Sequence, residues 1–173
     1  ILSYCGSGWR CTIAMTALEV LGWQDVKCLK DNSFTGWVEA GYPVVEGVPE
    51  EAMVLNVAQP DPVLLAAVDE VLQAVPANFG GIAASDLNTA LLENPDLILI
   101  DVRTDDEVVT SGVIQATNLF HIPLEKLVEM KAELPADKAA SIVVYCGSGH
   151  RSTIAMTLLW MYGYTDVSSL KSG

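Results

Sequence analysis

Leu97-Ile98-Leu99-Ile100 is an unbroken apolar run that ends on Asp101-Val102-Arg103, and Ile142-Val143-Val144-Tyr145 is a second. Runs of this length without polar alternation predict parallel strands buried on both faces. Shorter runs predict further strands over residues 81–83, 119–122 and 167–170. Helical spacing predicts helices over 85–92, with Ser85 as N-cap, over 124–133, and over 151–162, closed by Gly163. Strands alternating with helices define an α/β fold with a mainly parallel sheet. Residues 49–80 read as a linker: Pro49, Pro60 and Pro62 punctuate it, an amphipathic helix covers 63–75, and Pro76 with Gly80-Gly81 ends it.

Part of this pattern occurs twice. Ile1 to Arg10 lines up with Ile142 to Arg151, and the match continues through Thr12-Ile13-Ala14-Met15-Thr16 and Thr153 to Thr157. Gly22 then meets Gly163, Asp25-Val26 meets Asp166-Val167, and Leu29-Lys30 meets Leu170-Lys171. About 18 of 32 aligned positions are identical, too many for coincidence. The sequence therefore reads as two copies of one domain. The first is present only as its back half, and the second lacks only its tail. Ile1 opens directly on an apolar run, so the chain is read as a fragment of a longer polypeptide, and no leader assigns a compartment.

Composition narrows the function. Of 173 residues, 51% are hydrophobic, enough to fill a packed core, whereas 22 acidic residues against 9 basic ones give a formal charge of −13. That field repels phosphate backbones and anionic membrane surfaces, which argues against nucleic-acid binding. No apolar stretch reaches the length of a membrane span, because Asp69 and Glu70 interrupt the best candidate. Cysteines at 5, 11, 28 and 146 are too few to predict a disulfide framework in a chain of this size. With two histidines and no Cys-x-x-Cys pair, no metal site is expected, and nothing implies a cofactor.

The chemistry lies in Cys146-Gly147-Ser148-Gly149-His150-Arg151-Ser152, which joins a buried strand directly to a helix. At the carboxyl end of a strand facing a helix N-terminus, backbone N–H groups converge on one small space. Gly147 and Gly149 are expected to let the chain curl round that space. A thiol held there is drawn toward the thiolate by the helix dipole and the N–H groups, and the same groups stabilise a bound anion or a transferred sulfur. Arg151 adds a fixed positive charge, and His150 is expected to face solvent or substrate. Cys5 and Arg10 hold the equivalent positions in the first copy. Cys11 stands where the other copy has Ser152, either as a small packed residue or as a resolving thiol for Cys5; Cys28 reads as core.

This loop, with Asp101-Val102-Arg103 upstream and Tyr164-Thr165-Asp166-Val167 downstream, resembles the rhodanese sulfurtransferase superfamily. The resemblance implies a three-layer α/β/α domain with a mainly parallel five-stranded sheet at 81–173. It also implies the C-terminal half of another such domain at 1–48, closing on Phe34 to Val44. Cys146 would carry a persulfide, Gly147, Ser148, Gly149, His150 and Ser152 would cradle the sulfur, and Asp101 and Arg103 would support the fold or the loop. The chain departs from the family pattern at Gly112-Val113-Ile114 and at Ser172-Gly173. The implied reaction takes sulfane sulfur from a small anion, thiosulfate or 3-mercaptopyruvate, and gives it to cyanide or a thiol.

Two other readings are weighed against it. A cysteine phosphatase uses the same strand–loop–helix logic but places five residues between Cys and Arg, whereas four separate Cys146 from Arg151 and Cys5 from Arg10. The other is a catalytically inactive rhodanese-like binding or regulatory module, against which both loop cysteines argue. Residues 1–48 supply two strands and two helices of a five-strand plan. A separate polypeptide or a swapped copy of the chain is expected to complete them.

Overall fold

Residues 1–48 and 59–173 are described by the computed structural model, and the chain divides into two units, Ile1–Glu70 and Val71–Gly173. Residues 49–58 of the expected linker lie outside the described residues. In the first unit, strand β1 (Leu2–Ser3) leads through helix α1 (Trp9–Val20) to strand β2 (Lys27–Cys28), and helix α2 (Ser33–Glu39) follows. The two strands pair in parallel, with Leu2 opposite Lys27 and Ser3 opposite Cys28. A parallel pair needs a crossover, which α1 provides. Helix α3 (Pro62–Gln73) covers most of the amphipathic stretch anticipated at 63–75, and the unit boundary falls within it.

The second unit contains strand β3 (Gly81–Ile82), helix α4 (Ala84–Glu93), strand β4 (Ile98–Asp101), helix α5 (Asp105–Ser111) and strand β5 (Asn118–His121). Strand β6 (Ile142–Tyr145), helix α6 (His150–Met161) and strand β7 (Val167–Leu170) complete it. Its five strands lie in the order β3-β7-β6-β4-β5, and every neighbouring pair is parallel. The expected α/β fold with a parallel five-stranded sheet is therefore present. Leu99 pairs with Val143, and Ile100 with Val144, which in turn meets Ser169.

Strand alternation then sorts the core. Leu99, Val143, Tyr145 and Leu170 form one buried cluster with Leu87 of α4. Ile100 and Val144, both at most 1% exposed, share the opposite face with Ser169, whose hydroxyl bonds to α6. Burying each large aliphatic side chain in this way contributes about 1.5–3 kcal/mol. The two inner strands thus have apolar cover on both sides, which is why they read as unbroken apolar runs.

Three local expectations are corrected. Helix α4 starts before Ser85: Ala83 is its N-cap, in extended backbone without a side-chain cap, and Asp86 supplies the favourable negative charge in the first turn. The stretch 124–133 forms two 3-10 turns, Leu124–Lys126 and Lys131–Glu133, instead of one helix. Leu127 is fully buried there but Val128 is 71% exposed, so no continuous apolar stripe holds a helix, and Pro135 draws Leu134 into extended backbone. The third correction is a disulfide joining Cys11 of α1 to Cys28 of β2. The parallel β1–β2 pair brings the end of β2 beside the first turn of α1, with the two Cα atoms 5.7 Å apart, inside the usual range for a bridge. Cys28 is only partly buried, not a core residue in the ordinary sense.

Candidate active site

Strand β6 is the middle strand of the sheet, and Cys146 follows its last residue. Ligands of open parallel sheets gather at this carboxyl edge. The thiol is 2% exposed. The Ser152 backbone N–H donates to Cys146 Sγ over 3.4 Å, and the Ser152 hydroxyl lies 3.4 Å from the same sulfur. That hydroxyl is itself held by Ser169 Oγ at 2.8 Å and approaches the Gly149 carbonyl at 3.1 Å. Burial pushes the Cys146 thiol up. The Ser152 hydroxyl and the N–H groups of Ser148, Ser152 and Gly149 more than offset this and hold it below the ordinary thiol value.

The two glycines have different roles. Gly149 is the N-cap of α6 at φ 83°, a left-handed conformation that glycine adopts without strain. Gly147 is not in that region, and a Cβ there would meet Glu107 Oε1 at 3.6 Å and an Arg151 guanidinium nitrogen at 3.7 Å, ordinary contacts. The expectation that both glycines are needed for the curl is thus corrected to Gly149 alone. Gly147 and Ser148 are exposed and form the open side of the loop, whereas His150 is half-buried and its Nε2 atom is buried.

Arg151 does not simply add charge to the loop. Its guanidinium donates two hydrogen bonds of 2.6 Å to Glu107 of α5. The Glu107 carboxylate also accepts from the Thr104 backbone N–H at 3.0 Å and closes a capping box at the start of α5. Hydrogen bonds from Arg151 and Thr104 hold Glu107 down at about 2. Neither α5 nor Glu107 emerges from the apolar pattern. The Thr104-x-x-Glu107 spacing is the available signal, because it marks a helix N-terminus whatever follows.

Asp101 and Arg103 brace the same edge from below. Asp101, fully buried at the end of β4, takes a 2.6 Å ion pair from Arg103. Burial pushes the Asp101 carboxyl up, but the Arg103 and Tyr145 hydrogen bonds win and lower it. Arg103 also donates to the Gly112 carbonyl at the C-cap of α5 over 2.6 Å. Asp101, Arg103, α5, Glu107 and Arg151 thus connect the end of β4 to the first turn of α6.

In the first unit the same loop follows β1. The Gly8 N–H donates to Cys5 Sγ at 3.2 Å, and Gly8 caps α1 at φ 96°. Burial raises the Cys5 thiol, but N–H groups of Cys11, Ser7, Gly8 and Arg10 bring it below the ordinary value. Cys5 is half-buried and Arg10 is exposed. The start of α2 closes over this loop: the Cys5 N–H donates to Ser33 Oγ at 3.0 Å, and the Thr35 N–H to the Gly6 carbonyl at 3.1 Å.

The Cys146 thiol is thus held by N–H groups between the central parallel strand and the N-terminus of α6. The chain belongs to the rhodanese-like family, whose domain matches residues 84–173. It is 32% identical over 92 residues to a sulfurtransferase of Allochromatium vinosum, covering 53% of this chain and 81% of that protein. It is also 33% identical over 86 residues to a tRNA uridine(34) hydroxylase of Acaryochloris marina, covering 48% of this chain but only 27% of that protein. Among solved structures, it is similar to a polysulfide-sulfur transferase homodimer of Wolinella succinogenes. There the identity is 29% and the TM-score 0.48, over 63% of this chain and 78% of that one.

Proposed function

We propose that the chain is a sulfurtransferase in which Cys146 carries the transferred sulfur. The observation that supports this most directly is the buried Cys146 sulfur held by the Ser152 N–H and hydroxyl at 3.4 Å. The thiolate attacks the transferable sulfur of a small anionic donor. From thiosulfate, the S–S bond breaks and sulfite leaves with the electron pair; from 3-mercaptopyruvate, the C–S bond breaks and the enolate of pyruvate leaves and takes up a proton. In both cases Cys146 is left as a persulfide. Cyanide or a thiol then attacks the outer sulfur, and Cys146 returns as thiolate. The N–H groups at the start of α6 stabilise the negative sulfur in both steps.

Residues 1–48 belong in this reading to a second, partial copy of the same domain, joined through 49–80 to the domain at 81–173. The acidic surface suits small-molecule exchange better than nucleic acid. The test is turnover. Wild-type protein should form thiocyanate from cyanide with thiosulfate or 3-mercaptopyruvate as donor, and Cys146→Ser should lose the part that Cys146 carries. Folded wild-type protein that turns over neither donor would indicate an inactive binding module.

A further inference from the structure

The register of the two copies reveals a paired substitution. Cys11 occupies the position of Ser152, and Cys28 on β2 occupies that of Ser169 on β7. In the second unit these two serines bond to each other at 2.8 Å, and Ser152 touches the loop sulfur. The first unit replaces that hydrogen-bonded pair by the Cys11–Cys28 disulfide. Gly8 borders all three sulfurs: its N–H donates to Cys5 Sγ at 3.2 Å, and its carbonyl oxygen lies 3.2 Å from Cys11 Sγ and 3.5 Å from Cys28 Sγ. Cys11 is 2% exposed beneath the loop, whereas Cys5 is partly open to solvent. The second copy builds the same strand–loop–helix with two serines, so the loop itself does not require the disulfide.

We propose that Cys5, Cys11 and Cys28 form a sulfur-reducing relay, in which the reduced Cys11/Cys28 dithiol discharges a persulfide on Cys5 as hydrogen sulfide and becomes the disulfide. The relay rests on the sulfur-accepting reading given above, extended to the Cys5 loop. Cys11 thiolate attacks the inner sulfur of the Cys5 persulfide, a Cys5–Cys11 disulfide forms, and hydrosulfide leaves with the electron pair. Cys28 thiolate then attacks the Cys11 sulfur, forms the Cys11–Cys28 bond, and expels Cys5 as thiolate. Two thiols are oxidised, one sulfane sulfur is reduced to sulfide, and the two protons of the dithiol end on sulfide and Cys5. An external dithiol reductant resets the pair.

The test uses the full chain carrying Cys146→Ser, so that only the Cys5 loop reports. The protein is reduced, freed of reductant without air and given inorganic polysulfide; free sulfide and the state of each cysteine peptide are then followed. The relay predicts about one equivalent of sulfide per chain together with closure of the Cys11–Cys28 disulfide. Adding Cys11→Ser and Cys28→Ser reproduces the serine pair of the other loop, so the variant should fold, as circular dichroism checks. It should retain one added sulfur on the Cys5 peptide. With Cys5→Ser, sulfide release should slow by at least about tenfold. A stable Cys5 persulfide beside two free thiols would overturn the relay while leaving sulfur acceptance intact, and equal release with Cys5→Ser would overturn it as well. No added sulfur on Cys5 in the double-serine variant would refute sulfur acceptance at this loop, and the relay with it.

Discussion

The two cysteine loops share a backbone and differ in their surroundings. Gly8 sits at φ 96°, ψ −14° and Gly149 at φ 83°, ψ −15°. The threonine four residues on returns a hydroxyl hydrogen bond to each glycine carbonyl, at 2.8 Å for Thr12 and 2.7 Å for Thr153. Around this common frame, Cys146 is buried against a serine pair and its arginine is clamped by Glu107. Cys5 is half open, lies beside a disulfide, and its Arg10 is exposed. Local sequence therefore builds the loop, and residues distant in sequence decide what its thiol can do.

The largest expected effect separates the loops by function. Cys146→Ser should lower the sulfur transfer carried by that loop on the order of a thousandfold, since Cys146 is its only thiol. Transfer that persists at the wild-type level would assign the activity to Cys5. A backbone test comes next. Gly149→Ala forces a β-carbon into the left-handed region and should cost about 1–2 kcal/mol, whereas Gly147→Ala should stay within about 0.5 kcal/mol. Denaturant midpoints compare the two, and equal losses would contradict the unequal roles given to these glycines.

Ser152→Ala should have a smaller, chemical effect. Removing the hydroxyl takes away one of the groups that favour the thiolate, so alkylation of Cys146 at neutral pH should slow by about threefold to tenfold and its pH profile should move upward. Ser152→Cys would place in this loop the residue that stands at Cys11, and makes the comparison sharper still.

A small, pH-dependent effect is expected at Glu107. Its carboxyl lies below its ordinary value, so the clamp contributes fully above the usual glutamate range of about 4.3 and fades as pH falls toward about 2. Because Glu107 is 38% exposed, the ion pair is screened, and Glu107→Gln should cost only about 1 kcal/mol at neutral pH, cap included. Wild-type and variant stabilities should converge as the pH is lowered through that interval. A constant gap would place the contribution in packing, not charge.

The sequence made the inner strands, the helix after Cys146 and the loop itself legible, because unbroken apolar runs and a repeated glycine-rich motif are local signals. Two features were less accessible. Helix α5 is short and acidic, with no fully buried residue, so apolar periodicity misses it; only its capping box marks it. The Cys11–Cys28 bridge depends on the register of a two-residue strand pair, which pairing fixes and spacing does not. The Glu107–Arg151 clamp spans 44 residues and combines both difficulties. The stretch at 124–133 failed in the opposite direction: its residues suit a helix, but only Leu127 finds the core.

The most direct test of the central claim is peptide mass spectrometry of the wild-type chain after exposure to thiosulfate and, separately, to 3-mercaptopyruvate. One added sulfur on the Cys146 peptide, removed by cyanide, is the predicted result, and it would also identify the donor. A folded chain whose Cys146 peptide gains no sulfur from either donor would contradict the account.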